Sequence, residues 1–103
     1  MNTQSTPPPR TVAEEFRTRP LGHHSPALQR VLAMFRGEPM EGKYVLVCTR
    51  SHEEWNLGQL SGVRGEAVTV FDDVIFTTRA DAEWEVFKRR WKRYFNEDLT
   101  DMD

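Results

Sequence analysis

The sequence predicts a small α+β fold: a helix on the N-terminal side, a short antiparallel sheet of about three strands, and a long C-terminal helix. Three observations carry this. After Ser25-Pro26, apolar residues recur at helical spacing. The run "YVLVCT" at 44–49 is strand-like in its β-branched content and is followed by two further short runs of that kind. From Ala80 to Tyr94 an aromatic stripe returns to the helical period.

The opening "NTQSTPPPR" is polar and proline-rich, so residues 1–22 are expected to be an extended or disordered tail. Within it "TVAEEFRTRP" holds a capping-box pattern, Thr11 with Glu14, and room for a helical turn or two before Pro20. With only Val12, Ala13 and Phe16 to bury, that piece orders only against something else. The domain proper is expected over 23–96, with an acidic tail, "EDLTDMD", over 97–103.

"GHHSPALQR", 22–30, is the entrance to the first firm helix. Ser25 is a favoured N-cap and Pro26 a favoured first helical residue. Leu28, Val31, Leu32 and Phe35 then form one apolar stripe, and Gly37 with Pro39 ends it. His23 and His24 therefore stand just ahead of a helix N-terminus, where neutral imidazole is preferred over imidazolium.

In the strand at 44–49, Tyr44, Leu46 and Cys48 face one side and Val45 and Val47 the other. Both sets are apolar, which predicts burial on both faces, one cover coming from another protein. A second strand runs through Trp55, Leu57 and Gln59, and the glycines of "SGVRGE" make a tight connection. "AVTVF" is the third strand, with Asp72-Asp73 expected as a turn before "VIF". Thr78 and Asp81 then cap a helix from Arg79 to Phe95 that buries Trp84, Phe87 and Trp91.

Composition narrows the function. The chain has 103 residues, with 14 Lys and Arg against 16 Asp and Glu, a net charge of -2, and a pI near 5.9. That balance argues against a dedicated nucleic-acid binder. No apolar run approaches the roughly 20 residues that span a bilayer, so no membrane is expected. The single Cys48 leaves no internal disulfide and suits a reducing, cytoplasmic setting. A foldable region of about 70 residues without a disulfide usually needs a metal or a partner.

For metal, the soft ligands are His23, His24, His52 and Cys48, and none falls at zinc-type spacing. Cys48 with His52 makes a weak thiol pair, since a strand-buried cysteine behaves as a small hydrophobe. "FKRRWKRYF", 87–95, interleaves bases with aromatics as a nucleic-acid surface does, and its Lys88–Arg93 face is the alternative binding site. Yet acids fill the first half of that helix and bases the second, which suits the helix dipole and permits a Glu85–Arg89 pair. The residues point to an interaction module without catalytic or metal-binding residues of its own.

"HHSPALQRV" at 23–31, "FR" at 35–36, "P-x-x-GKY" at 39–44, "EW" at 54–55 and "FTT" at 76–78 lead into "AEWEVFKRRW" at 82–91. Together they resemble the small (α) subunit of N,N-dimethylformamidase. The resemblance implies a chain that binds a much larger catalytic subunit, in heterodimers that pair or assemble further. The large subunit would carry a mononuclear non-haem iron, held by tyrosine and carboxylates, that splits dimethylformamide into dimethylamine and formate. It implies no cofactor and no catalytic residue in this chain. The sequence departs from the pattern in its short, proline-rich N-terminal region and in His24, where proline is expected. Core or interface anchors for such a partner are Tyr44, Trp55, Trp84, Phe87 and Trp91, with Arg30, Arg36 and Arg90 for charge-assisted contacts.

Overall fold

The computed structural model describes residues 7–50 and 54–102, with backbone only for 49 and 50. Three helices, α1 (Arg10–Thr18), α2 (Pro26–Arg36) and α3 (Arg79–Phe95), accompany one sheet of β1 (Tyr44–Arg50), β2 (Glu54–Gln59) and β3 (Thr69–Phe76). The strands lie in the order β1-β2-β3, antiparallel throughout. This is the α+β architecture expected from the sequence.

Helix α2 starts as its residues dictate. Ser25 Oγ accepts from the Leu28 N–H at 3.3 Å, Pro26 occupies the first turn, and Gly37 closes the end. Helix α3 begins likewise, with Thr78 Oγ1 accepting from the Asp81 N–H at 3.2 Å. It ends at Asn96, whose left-handed backbone (φ 59°) is one that asparagine tolerates better than most side chains.

The main apolar core is made by helices. Val12, Ala13 and Phe16 of α1, Leu28, Val31 and Phe35 of α2, and Trp84, Phe87, Trp91 and Phe95 of α3 form one buried cluster, joined by Leu99. Aromatic rings run through it. Phe16 stacks on Phe87 with centroids 4.2 Å apart, and Trp91 meets Phe95 edge-on at 5.0 Å. Helix α3 packs against this cluster and also contacts all three strands, so it joins the helical layer to the sheet.

Several expectations are corrected here. Residues 10–18, assigned to an extended tail, form a helix with three buried side chains. The Thr11 cap is not used; the helix begins at Arg10 behind Pro9, without a side-chain cap. The missing cover for Phe16 is Phe87, which lies 71 residues away and leaves no local signal. Nor are residues 97–102 a plain tail: Leu99 is buried, a short 3-10 turn spans Thr100–Met102, and Asp101 pairs with Arg10. Asp72-Asp73 is not a turn between strands. It lies within β3, where Leu57 pairs with Phe71 and Asn56 with Ile75, so residues 72–74 bulge out. Finally, neither face of β1 is fully covered, since Tyr44 to Val47 are half-buried and Cys48 is exposed.

Candidate partner-binding surface

The sheet has two unlike faces, fixed by register. Tyr44 pairs with Gln59, Leu46 with Leu57, and Leu57 with Phe71. This face turns to α3: the Arg89 guanidinium carbon lies 5.6 Å from the Tyr44 ring centroid, and Leu57 is buried. Val45 opposite Gly58 and Gly58 opposite Val70 put a valine-rich row on the other face. No helix covers that row among the described residues.

The basic half of α3 is largely engaged within the chain. Glu85 receives Arg89 Nε at 2.7 Å and Lys88 Nζ at 3.2 Å. Arg90 donates from Nε (3.2 Å) and Nη2 (2.8 Å) to the Tyr44 carbonyl. Arg93 Nη2 donates to the Glu41 carbonyl at 2.5 Å. Lys88 is itself buried, 5.7 Å from the Trp84 ring centroid. A groove of about 600 Å³ runs along this edge, lined by Tyr44, Gln59, Lys88, Arg89 and Lys92 with Asp98 across it. Cations already tied to carboxylates and carbonyls are poorly placed to track phosphates, so this face gives the nucleic-acid alternative little support.

Beside it lies the buried Glu38. Its side chain is 5% exposed, Oε2 is 3.9 Å from Arg93 Nε, and Oε1 has no hydrogen-bond partner among the described residues. Burial raises its pKa above the ordinary carboxyl value, against the pull of Arg93, Arg90 and Lys43. Burial in turn lowers the pKa of Arg90, opposed by Glu38 and Glu83.

His24 is engaged within the chain. His24 Nε2 donates to the Arg19 carbonyl at 2.8 Å, and its own carbonyl accepts from Gln29 Nε2 at 2.7 Å. Its ring rests 5.9 Å from that of Phe16. Behind it Glu15 takes the Ser25 N–H at 2.7 Å and the Ser25 hydroxyl at 2.5 Å. These bonds hold the Glu15 carboxyl below its usual pKa. Besides capping α2, Ser25 has a second role as the link between α1 and α2. His52 lies outside the described residues.

The expected anchors separate into two groups. Trp84, Phe87 and Trp91 are buried within the chain's own core, the first of the two roles left open for them. Tyr44 and Trp55 are half-buried on the α3 side of the sheet, and Arg90 is spent on Tyr44. Arg30 and Arg36 remain exposed along α2, beside a depression that includes His23. Among the described residues no group of three His, Cys, Asp or Glu side chains is placed to hold a metal ion. Among the described residues no helix is long and apolar enough to cross a membrane. Sequence reasoning missed Val68, Val70 and Ile75; the V-x-V alternation at 68–70 carried the signal, but the bulge hid the side on which Ile75 would emerge.

The family model for the "N,N-dimethylformamidase alpha subunit" matches residues 4–101, a longer span than the sequence motifs alone cover. The chain is 37% identical over 84 residues to the N,N-dimethylformamidase alpha subunit of an Alcaligenes species, covering 77% of this chain and 61% of that protein. To the alpha subunit of Paracoccus aminophilus it is 34% identical over 91 residues, covering 84% and 62%. The chain thus spans about three fifths of the length of these curated relatives.

Proposed function

The chain belongs to the N,N-dimethylformamidase alpha-subunit family, and from that premise we propose that it is the non-catalytic small subunit of a heteromeric, iron-dependent amidohydrolase. Its role is to cover and stabilise a larger catalytic subunit in the cytoplasm, as a dimer of heterodimers or a higher assembly. The reaction is hydrolysis of dimethylformamide, or a closely related small amide, to an amine and formate. The observation that carries this is the family match over residues 4–101.

Among the described residues no three His, Cys, Asp or Glu side chains are placed to hold a metal ion. In this reading the metal belongs to the large subunit, where it would supply Lewis-acid activation of water and amide. No step of the hydrolysis is routed through this chain. What its own residues do is mechanical. Three helices close an aromatic core, Arg90 ties that core to β1, and a sheet is held out with one face uncovered by the chain's described residues.

The test is mild affinity purification of the tagged chain from its native cell. The bound protein is sized, its iron counted by mass spectrometry, and formamide hydrolysis assayed. One large partner carrying about one iron per copy, with activity, supports the reading. A chain that elutes alone, folded and without activity, overturns it.

A further inference from the structure

Register places Val45, Val47, Val70 and Ile75 on the face of the sheet turned away from α3. Val68 joins them: a Cβ built on Gly58 would lie 2.9 Å from both Val47 Cγ2 and Val68 Cγ1, so the two valines close over that glycine. The five side chains are β-branched and aliphatic, stiff at χ1 and therefore cheap to immobilise further. Val68, Val70 and Ile75 are exposed, Ile75 at 49%. Singly these would be ordinary; contiguous on one face they are not.

The β3 border of this face is acidic. Asp72 and Asp73 are exposed on the β3 bulge and Glu66 on the loop before it, against one exposed base in the same stretch, Arg64. The bulge lifts the two aspartates out of the ladder beside Ile75. Area makes the border matter. Three strands at about 4.8 Å spacing and about 20 Å long present only a few hundred Å², less than the roughly 800 Å² per partner of a stable interface. Contacts must extend past the valines onto this rim.

We infer that this face is the docking surface for the large subunit, meeting an apolar patch bordered by Lys and Arg. The inference rests on the subunit reading given above. A second copy of the chain fits worse, because an isologous pair that lays β3 over β3 would bring the acidic rims together. An occupant with a basic rim gains from the same charges.

The experiment compares native complexes assembled with the wild-type chain, with Val70→Asp plus Ile75→Asp, and with Val63→Asp. Val63 is exposed in the connection between β2 and β3, outside the three strands, and serves as the control. Retention of the large subunit is measured by titration, together with its formamide hydrolysis. The double variant is expected to weaken assembly about tenfold or more, while Val63→Asp leaves it unchanged. Val70→Thr plus Ile75→Thr keeps β-propensity and backbone pairing, and should weaken assembly in the same direction by less. Circular dichroism of each isolated chain verifies that folding is retained.

Wild-type assembly that both double variants match overturns the inference and leaves the subunit reading intact. A wild-type chain that retains no large partner and no activity overturns both. Sedimentation of the isolated chain should give a monomer; a dimer that the aspartates dissociate would assign the face to a second copy instead. Replacing Asp72 and Asp73 with Asn should slow association at low salt, and an unchanged rate would remove the charged rim from the interface.

Discussion

The guanidinium of Arg90 donates two hydrogen bonds to one oxygen, the Tyr44 carbonyl, and so pins the middle of the last helix to the first residue of the first strand. Lysine offers a point charge where arginine offers a fork. Arg90→Lys should therefore lose about 1–3 kcal/mol of stability, as a half-buried carbonyl loses part of its satisfaction. Denaturant unfolding measures this. A variant as stable as wild type would mean that α3 is held to the sheet by apolar packing alone.

Trp91 is wholly buried, and its indole N–H donates to Glu97 Oε1 at 2.8 Å. Trp91→Ala should cost about 3–5 kcal/mol from the cavity it leaves, much of the stability of a domain this size. Trp91→Phe keeps most of the ring volume, loses the polar contact and should cost less. Thermal melts of the isolated chain read both, and equal melts for Ala and wild type would remove Trp91 from the core.

Glu15 and Glu38 should drive stability in opposite directions with pH. Hydrogen bonds from Ser25 hold Glu15 below its usual pKa, so its contribution is complete above the ordinary carboxyl range and disappears as pH falls through the lowered value. Ser25→Ala removes both the cap on Leu28 and the hydroxyl bond to Glu15, and should cost about 0.5–2 kcal/mol. The variant should also show a shallower loss of stability in acid; an unchanged acid limb would show that Glu15 takes no strength from that hydroxyl.

For Glu38 the sign reverses. Its pKa is raised by burial, so the folded state holds a proton that the unfolded chain gives up, and stability declines as pH climbs from the ordinary carboxyl value to the raised one. Glu38→Gln should melt a few degrees higher than wild type at neutral pH and at about the same temperature near pH 4. A gap of equal size at both pH values would mean that Glu38 does not titrate in the folded protein.

Local signals in the sequence were reliable where the residues act on their neighbours. Ser25-Pro26, Thr78 and the 79–95 stripe gave both helix starts and the extent of the long helix, because caps and periodicity are short-range effects. Helix α1 was half-visible: its apolar positions were clear, yet its packing partner lies at Phe87. Burial of Trp84 and Trp91 inside the chain was not legible either, since an aromatic stripe at helical spacing serves a core and an interface alike. The Asp-Asp pair misled because two acids in an apolar run read as a turn, and only the pairing of β2 with β3 shows a bulge. Glu38 had no signal at all; its burial is a consequence of where α3 lies.

The ring ladder from Phe16 through Phe87 to Trp91 and Phe95 also governs when the molecule can fold. Helices α1 and α2 are synthesised before α3, so the apolar stripes of the early helices stay wet until the later one emerges. Bringing ends so distant together costs loop-closure entropy before any contact rewards it. Acquisition of structure should therefore wait for α3 to leave the ribosome and then be abrupt. The valine face, assembled in the interval between, is an aggregation hazard for as long as nothing covers it.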